Sequence, residues 1–175
     1  MRNRSFLPLL ALLALGAQPA LGQTYGLGRP ASSEQAAAWD ITVGPEGREL
    51  PEGSGSAAEG AQVYEVRCKE CHGDQGIGGD HAALVGSPQH LTERPPRKTV
   101  GSFWPYATTL FDYTRRAMPF EEPGTLTADQ VYAVTAYVLF LNGIISEDET
   151  LDRESLPEVR MPNRDGFVRD PRPSR

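Results

Sequence analysis

Five consecutive residues, Cys68-Lys69-Glu70-Cys71-His72, constrain this chain more than any other feature of the sequence. The two-residue spacer sets the thiols about one helical turn apart, and the following His stays on the same side. Two such thiols can add across the vinyl groups of one porphyrin, while the imidazole binds its iron. The run has the CxxCH pattern of c-type haem attachment. It therefore predicts one covalent haem c, held by Cys68 and Cys71, with His72 as an iron ligand.

Two other interpretations of the cysteine pair are open. A disulfide or redox pair can use the same CxxC spacing, but no strand–helix context of the thioredoxin type precedes it here. A structural zinc site normally takes four ligands. The chain has no third Cys, and only His81 and His90 are spare imidazoles. Both interpretations are therefore alternatives to haem attachment rather than the expected chemistry.

Residues 1–22 have the pattern of a secretory signal peptide. They contain two arginines in the first four positions, an apolar stretch over residues 6–17 and a small-residue cleavage site, which places the mature start near Gln23. The apolar stretch is short and interrupted by Pro8, so it is a poor membrane span, although a retained anchor is the alternative. We therefore expect a periplasmic protein with no membrane span after cleavage.

The acidic composition limits the class of partner. The chain has 17 basic and 23 acidic residues, and removal of the signal leaves 15 basic residues and a net charge of −8. Nucleic acid is not an expected partner because its phosphates attract cationic surfaces. The charge favours a basic docking face on a protein partner, although it could equally serve only solubility.

The first helix is predicted by its N-terminal cap. Ser56 and Glu59 form a capping box, in which each side chain can bond to the backbone N–H of the other residue. Gly60, Tyr64 and Cys68 then follow at intervals of four and lie on one helix face. This helix is expected to lead into the haem motif.

Two further helices are predicted after a loop-rich segment. One is expected to begin around Pro105, a residue suited to the first helical position, and to end before Met118. The other begins with a second capping box over residues 127–130, is apolar from Val131 to Leu141 and is expected to stop at Gly143.

These signals divide the chain into a signal, a domain and two extensions. Residues 23–55 are predicted to be an irregular N-terminal extension, residues 56–143 the helical domain, and residues 144–175 a charged, Pro-rich C-terminal extension. The apolar residues that could anchor the two extensions are Trp39, Ile41, Val43, Leu151, Leu156, Val159, Met161 and Phe167.

The second axial ligand of the iron is predicted to be a methionine. Met118 lies between two predicted helices, is followed by a Pro and comes 46 residues after His72, far enough to return over the opposite haem face. Met161 is the other candidate, but it lies in the polar tail, and either Met could instead fill the core. His81 and His90 are the alternatives that would give ligation by two histidines.

Two aromatic residues are candidates for contacts with the cofactor. Trp104 and Tyr106 could donate hydrogen bonds to a haem propionate while their rings pack on the porphyrin. Ordinary packing in the protein core is the alternative for both.

Residues 56–143 resemble class I cytochrome c. The likeness rests on the CxxCH motif, on Leu84-Val85-Gly86, on Met118-Pro119 and on an aromatic C-terminal helix that bears Tyr137. It implies an all-α class I cytochrome c fold, here with extended N- and C-terminal segments. His72 is then the proximal ligand and Met118 the distal one.

The same resemblance implies two contacts. The first and last helices should cross at close range, with Gly60 against an aromatic residue such as Tyr137. A backbone carbonyl should hold the proximal imidazole, and the family often has Pro at that position. The corresponding residue here is identified as Ala83, so the carbonyl is retained without the Pro.

A narrower likeness concerns the partner. Residues 98–113, 115–120, 137–145 and 160–167 are similar to the haem-bearing subunit of sulfur and sulfite dehydrogenases. That resemblance implies pairing with a molybdenum subunit of the sulfite-oxidase type in the periplasmic oxidation of reduced sulfur.

The expected function is electron transfer rather than enzyme catalysis by this chain alone. The protein would accept electrons as the haem subunit of such a dehydrogenase. The alternatives are a free-standing shuttle to a terminal oxidase, another dehydrogenase or another redox protein, a haem enzyme with an open sixth site, and a gas sensor. The last two require an open iron site, which Met118 would close.

Overall fold

The computed structural model describes residue 25 and residues 27–172. The predicted signal peptide, residues 1–22, and its cleavage site near Gln23 lie outside this described part. The chain divides into two units, Met1–Ala36 and Ala37–Arg175. A short helix, α1 (Ser33–Trp39), has no buried residue, and Trp39 is 87 % exposed, so the expected anchoring by Trp39 is wrong.

The regular secondary structure of the larger unit is mostly helical. Its regular elements, in chain order, are β1 (Ser54–Ser56), α2 (Ala57–Arg67), α3 (Lys69–His72), α4 (Val100–Phe103), α5 (Ala107–Ala117), α6 (Ala128–Leu141) and β2 (Thr150–Asp152), with 3-10 turns at Pro88–Thr92 and Leu156–Glu158. None of the helices in residues 27–172 is both long and apolar enough to cross a membrane.

Both predicted capping boxes are confirmed. The Glu59 amide donates to the Ser56 hydroxyl at 3.3 Å, and the Glu59 carboxylate accepts from the Ser56 amide at 2.8 Å. Thr127 and Gln130 make the equivalent pair of bonds at the start of α6. These local bonds satisfy the free N–H groups of the first helical turn and fix where α2 and α6 begin.

Helices α2 and α6 cross at Gly60, as the resemblance implies. A methyl group at Gly60 would collide with the Ala133 carbonyl and would lie 2.8 Å from the Tyr137 Cβ atom. Only Gly permits this approach of the two backbones. The rings of Tyr64 and Tyr137 pack beside the crossing, with centroids 5.2 Å apart.

The second helix begins two residues after Pro105, the residue around which its start is predicted. Thr99 caps the short α4, and its amide donates to the Ser102 hydroxyl at 2.8 Å. Pro105 lies in the link after α4, and α5 begins at Ala107, after Tyr106 in extended conformation. The C-terminal end agrees with expectation, since α5 ends at Ala117.

The all-α prediction misses a small sheet. Strands β1 and β2 pair antiparallel, with Gly55 opposite Leu151. Gly55 is buried against α6, where a Cβ atom would collide with Ala133. The sheet joins the residues just before α2 to the C-terminal extension, a long-range pairing with no local sequence signal.

Both extensions contribute to one core. Val43, Leu50, Leu151, Leu156 and Met161 are all buried with the apolar residues of the helices. The predicted anchoring by Val43, Leu151 and Leu156 is therefore confirmed. The boundaries of the predicted domain, residues 56–143, remain a prediction.

Asp112, a residue of α5, bonds to the N-terminal extension. Its carboxylate accepts from the Val43 amide at 2.8 Å and from the Arg116 guanidinium at 2.9 and 2.5 Å. Burial alone would raise the pKa of Asp112, but the hydrogen bonds from Arg116 and Val43 outweigh it and lower the pKa. The carboxylate is therefore ionised at neutral pH.

Candidate haem-binding site

The CxxCH motif lies on a turn between two helices. Helix α2 ends at Arg67, and Cys68 adopts φ −128° and ψ −35° before α3 begins. The Cys71 and His72 amides both donate to the Cys68 carbonyl, at 3.2 and 3.0 Å. This turn brings the two thiols and the imidazole together on adjacent helical positions.

Neither thiol of the motif is bonded to another residue. Cys68 and Cys71 are unpaired and partly buried. Burial raises the pKa of Cys68 to about 11, so it is a protonated thiol at neutral pH. In this structure the two sulfurs are not joined as a disulfide.

The His72 ring is held by one backbone carbonyl. Its Nδ1 atom lies 2.9 Å from the Ala82 carbonyl oxygen. Because a carbonyl can only accept, Nδ1 carries the proton in this contact, and Nε2 is left to bind a metal. The sequence-based assignment of this carbonyl to Ala83 is wrong by one residue.

Two backbone hydrogen bonds explain why the Ala82 carbonyl, and not that of Ala83, contacts His72. The His81 amide donates to the Cys71 carbonyl at 3.0 Å, and the Leu84 amide donates to the Gly76 carbonyl at 2.7 Å. These two bonds fix both ends of the segment and leave the Ala82 carbonyl directed at the His72 ring. Spacing in the sequence does not contain this long-range register.

Tyr64 supports the start of the same loop. Its hydroxyl donates to the Gly73 carbonyl at 2.8 Å. Burial raises the pKa of Tyr64 to about 12, so the hydroxyl is a proton donor at physiological pH. Gly73 adopts φ +81°, and a Cβ atom there would collide with the Ile77 carbonyl.

Met118 follows α5 directly and is partly buried, in extended conformation with φ −125° and ψ 147°. The loop after it is tied to the residue before Cys68, since the Arg67 guanidinium bonds to the Glu122 carboxylate at 2.7 Å and to the Thr125 hydroxyl at 2.8 Å. The Met118 segment is therefore linked to the end of α2 that carries the motif.

The rival ligands have different surroundings. Met161 is 1 % exposed and belongs to the protein core. His81 is exposed, and its ring centroid lies 6.3 Å from that of His72. The His90 ring accepts from the Ser87 amide at 3.1 Å and caps a 3-10 turn.

The two aromatic residues that are predicted to contact the cofactor, Trp104 and Tyr106, lie beside the helical core. Trp104 is partly buried and packs edge-on against Tyr113, with centroids 5.8 Å apart. Tyr106 is partly buried beneath the Arg164 guanidinium, which lies 4.2 Å from the ring centroid. Hydrogen bonds from Trp104 and Tyr106 to a propionate remain predictions.

The donor set fits haem c. It combines two free thiols, an imidazole whose Nδ1 is already bonded and partly buried apolar side chains such as Leu84. Within the described residues, no group of three or more His, Cys, Asp or Glu is placed to hold a metal ion. The zinc alternative therefore gains no support from this part of the chain.

Comparison with known proteins agrees with this chemistry. Residues 55–138 match the family described as cytochrome C oxidase, cbb3-type, subunit III. The chain is also similar to a chain in the crystal structure of the sulfane dehydrogenase SoxCD from Paracoccus pantotrophus, at 41 % sequence identity and a TM-score of 0.76. That similarity covers 85 % of this chain and 73 % of the other. No curated protein matches the chain significantly.

Proposed function

This chain belongs to the cytochrome c family, and from that membership we propose that it binds one covalent haem c and transfers single electrons in the periplasm. We further propose that it is the haem subunit, and the electron acceptor, of a molybdenum-containing sulfur or sulfite dehydrogenase. The observation that carries the proposal is the CxxCH turn with its Nδ1-bonded imidazole, in a chain 41 % identical to a chain of SoxCD.

Each site residue has one role in this proposal. The Cys68 and Cys71 thiols would hold the haem covalently through thioether bonds to its two vinyl groups. His72 would offer Nε2 as an iron ligand, while the Ala82 carbonyl holds its ring. Met118 would offer its thioether sulfur as the second iron ligand. Bound haem supplies an iron that cycles between the ferrous and ferric states.

The choice of ligands affects the reduction potential of the iron. A thioether is a soft ligand that favours ferrous iron and gives a higher potential than ligation by two histidines. A protein with His72 and Met118 as ligands is therefore suited to accept electrons. The substrate chemistry takes place on the partner, and this chain is not itself the enzyme.

Two features support a protein partner of the dehydrogenase type. SoxCD is described as a sulfane dehydrogenase, and its similarity extends over most of this chain. The chain also carries a net charge of −6 at pH 7, which favours a basic docking face and an association that weakens in salt.

The covalent haem is tested by expression with a c-type haem attachment system. We expect haem to stay with the denatured chain after extraction with acidified organic solvent, and to be lost from it in the double variant Cys68→Ala/Cys71→Ala. Extractable haem in the wild-type protein would contradict the proposal.

The partner is tested by pull-down from the periplasm. We expect a co-purifying subunit that contains molybdenum. That subunit should reduce the haem of this chain by one electron. Reduction without a stable complex would instead indicate a free-standing shuttle. Strong binding of carbon monoxide by the reduced protein would indicate an open sixth site and a haem enzyme.

A further inference from the structure

Asn142 connects the last helix to the loop on the proximal side of the site. It caps the C-terminus of α6, where its Nδ2 atom donates to the Val138 carbonyl at 2.8 Å and to the Leu84 carbonyl at 3.3 Å. Its Oδ1 atom accepts from the Gly86 amide at 3.0 Å. Because carbonyls need a donor and the amide needs an acceptor, only one orientation of the Asn142 side chain satisfies all three partners.

The Asn142 amide group has little freedom to move. Gly101, in α4, packs directly on it, and a Cβ atom there would collide with both the Asn142 Oδ1 atom and the Gly86 carbonyl. The Val100 amide donates to the same Leu84 carbonyl, at 3.1 Å. The amide therefore joins α6, α4 and residues 84–86 at one point.

The same loop holds the proximal imidazole two residues earlier. Ala82, whose carbonyl accepts from His72, lies between two fixed points of the backbone, His81 on one side and Leu84 on the other. Two residues span at most about 7 Å, so a displacement of Leu84 changes the direction of the Ala82 carbonyl. Asn142 bonds to the Leu84 end of this segment.

We propose that Asn142 is a positioning residue for His72. By fixing Leu84 and Gly86, it holds the Ala82 carbonyl in line with the His72 Nδ1–H bond. This inference rests on the proposed function, because it takes His72 as an iron ligand. A strong Nδ1–H bond makes the imidazole a more basic ligand and favours ferric iron, so a weakened bond should raise the reduction potential.

The test compares two asparagines in otherwise similar settings. Asn163 also donates from Nδ2 to a backbone carbonyl, that of Phe103 at 2.7 Å, and a Gly (Gly166) also packs against its Oδ1 atom. It lies in the C-terminal extension and has no bond to residues 81–86 within the described chain. Asn163→Leu is therefore the matched control for Asn142→Leu.

Two measurements on the haem-loaded, full-length protein report the effect. We expect Asn142→Leu to shift the ferric–ferrous equilibrium up to about tenfold towards ferrous iron, which is a rise of about 59 mV for one electron. We also expect faster hydrogen exchange of the His72 Nδ1–H proton in the NMR spectrum of the ferrous protein. Asn163→Leu should change neither quantity.

Three results would overturn the inference. Wild-type values in Asn142→Leu would show that the amide does not act on His72, and equal changes in both variants would show only general loosening. Asn142→Ser, which is smaller and remains polar, gives the same comparison if Asn142→Leu does not fold. A wild-type protein without covalent haem would overturn this inference and the proposed function together, whereas unchanged Asn142 variants of a haem-bearing protein overturn this inference alone.

Discussion

The crossing of α2 and α6 predicts that Gly60→Ala destabilises the protein, although Ala is the better helix former. On an open helix surface, replacing Gly by Ala would stabilise by about 1 kcal/mol. At Gly60, however, the new methyl group would meet the Ala133 carbonyl and the Tyr137 Cβ atom. The main obstacle is the backbone of α6, which cannot rotate away as a flexible side chain can.

The size of the effect follows from these two opposing contributions. Overpacking in a tight core costs about 1–3 kcal/mol, and a backbone obstacle places this site at the upper end. After subtraction of the gain in helix propensity, we expect a net loss of about 1–2 kcal/mol. For a chain of this size, that loss lowers the Tm by about 2–8 °C.

Urea unfolding followed by circular dichroism measures this difference in the haem-loaded protein. Ala58→Gly, at an exposed position of the same helix, is the control, since it reports helix propensity without the crossing. Because Ala58 lies in the first turn of α2, where Gly costs less than in a helix interior, we expect Ala58→Gly to lose less than about 1 kcal/mol. A Gly60→Ala protein as stable as the wild type, or more stable, would refute the close approach of α2 and α6.

Three further predictions concern the axial ligands and the N-terminal extension. Met118→His should keep the covalent haem but lower the reduction potential, because a second His replaces the thioether; an unchanged potential would argue against Met118 as a ligand. Met161→Ala should lower the free energy of unfolding by about 2–5 kcal/mol, as expected for a buried Met, whereas Met161→Leu should lower it by less than about 1.5 kcal/mol. If Met161→Ala lost the weak near-infrared sulfur–iron band, the assignment of Met118 as the ligand would be contradicted. Because the pKa of Asp112 is lowered in the folded protein, its carboxylate stabilises the fold above the ordinary Asp pKa, and this stabilisation is lost as the pH falls through the folded-state pKa. Asp112→Asn should therefore reduce the loss of stability at acid pH, measured as the urea midpoint at each pH. An acid-pH dependence identical to that of the wild type would show that Asp112 does not contribute to it.

The sequence correctly predicted the helix ends that are determined by interactions between residues close together in the chain. The capping boxes at Ser56 and Thr127 gave the starts of α2 and α6 because each box is closed within four residues. Met118-Pro119 likewise gave the end of α5, since the residue before a Pro avoids helical conformation. The close approach at Gly60 came from the family resemblance rather than from any local pattern.

The errors occur where contacts between distant segments decide the structure. Pro105 fits a helix start locally, but the capped turn of α4 precedes it and moves the start of α5 to Ala107. The sheet joins segments almost a hundred residues apart, and the strands are too short to show alternation. The role of Ala82 depends on bonds from the loop to Cys71 and Gly76, and spacing alone assigned it to Ala83.

The two candidates for the proposed distal ligand show how sequence and structure combine. Met118 and Met161 both precede a Pro, so the local pattern does not separate them. Their positions do, because Met161 is almost completely buried among core residues, where its sulfur is already surrounded by protein. Met118 is only partly buried, and the loop after it is bonded to Arg67, the residue next to Cys68, which is the first of the two cysteines proposed to attach haem. These surroundings support Met118 rather than Met161 as the proposed distal ligand.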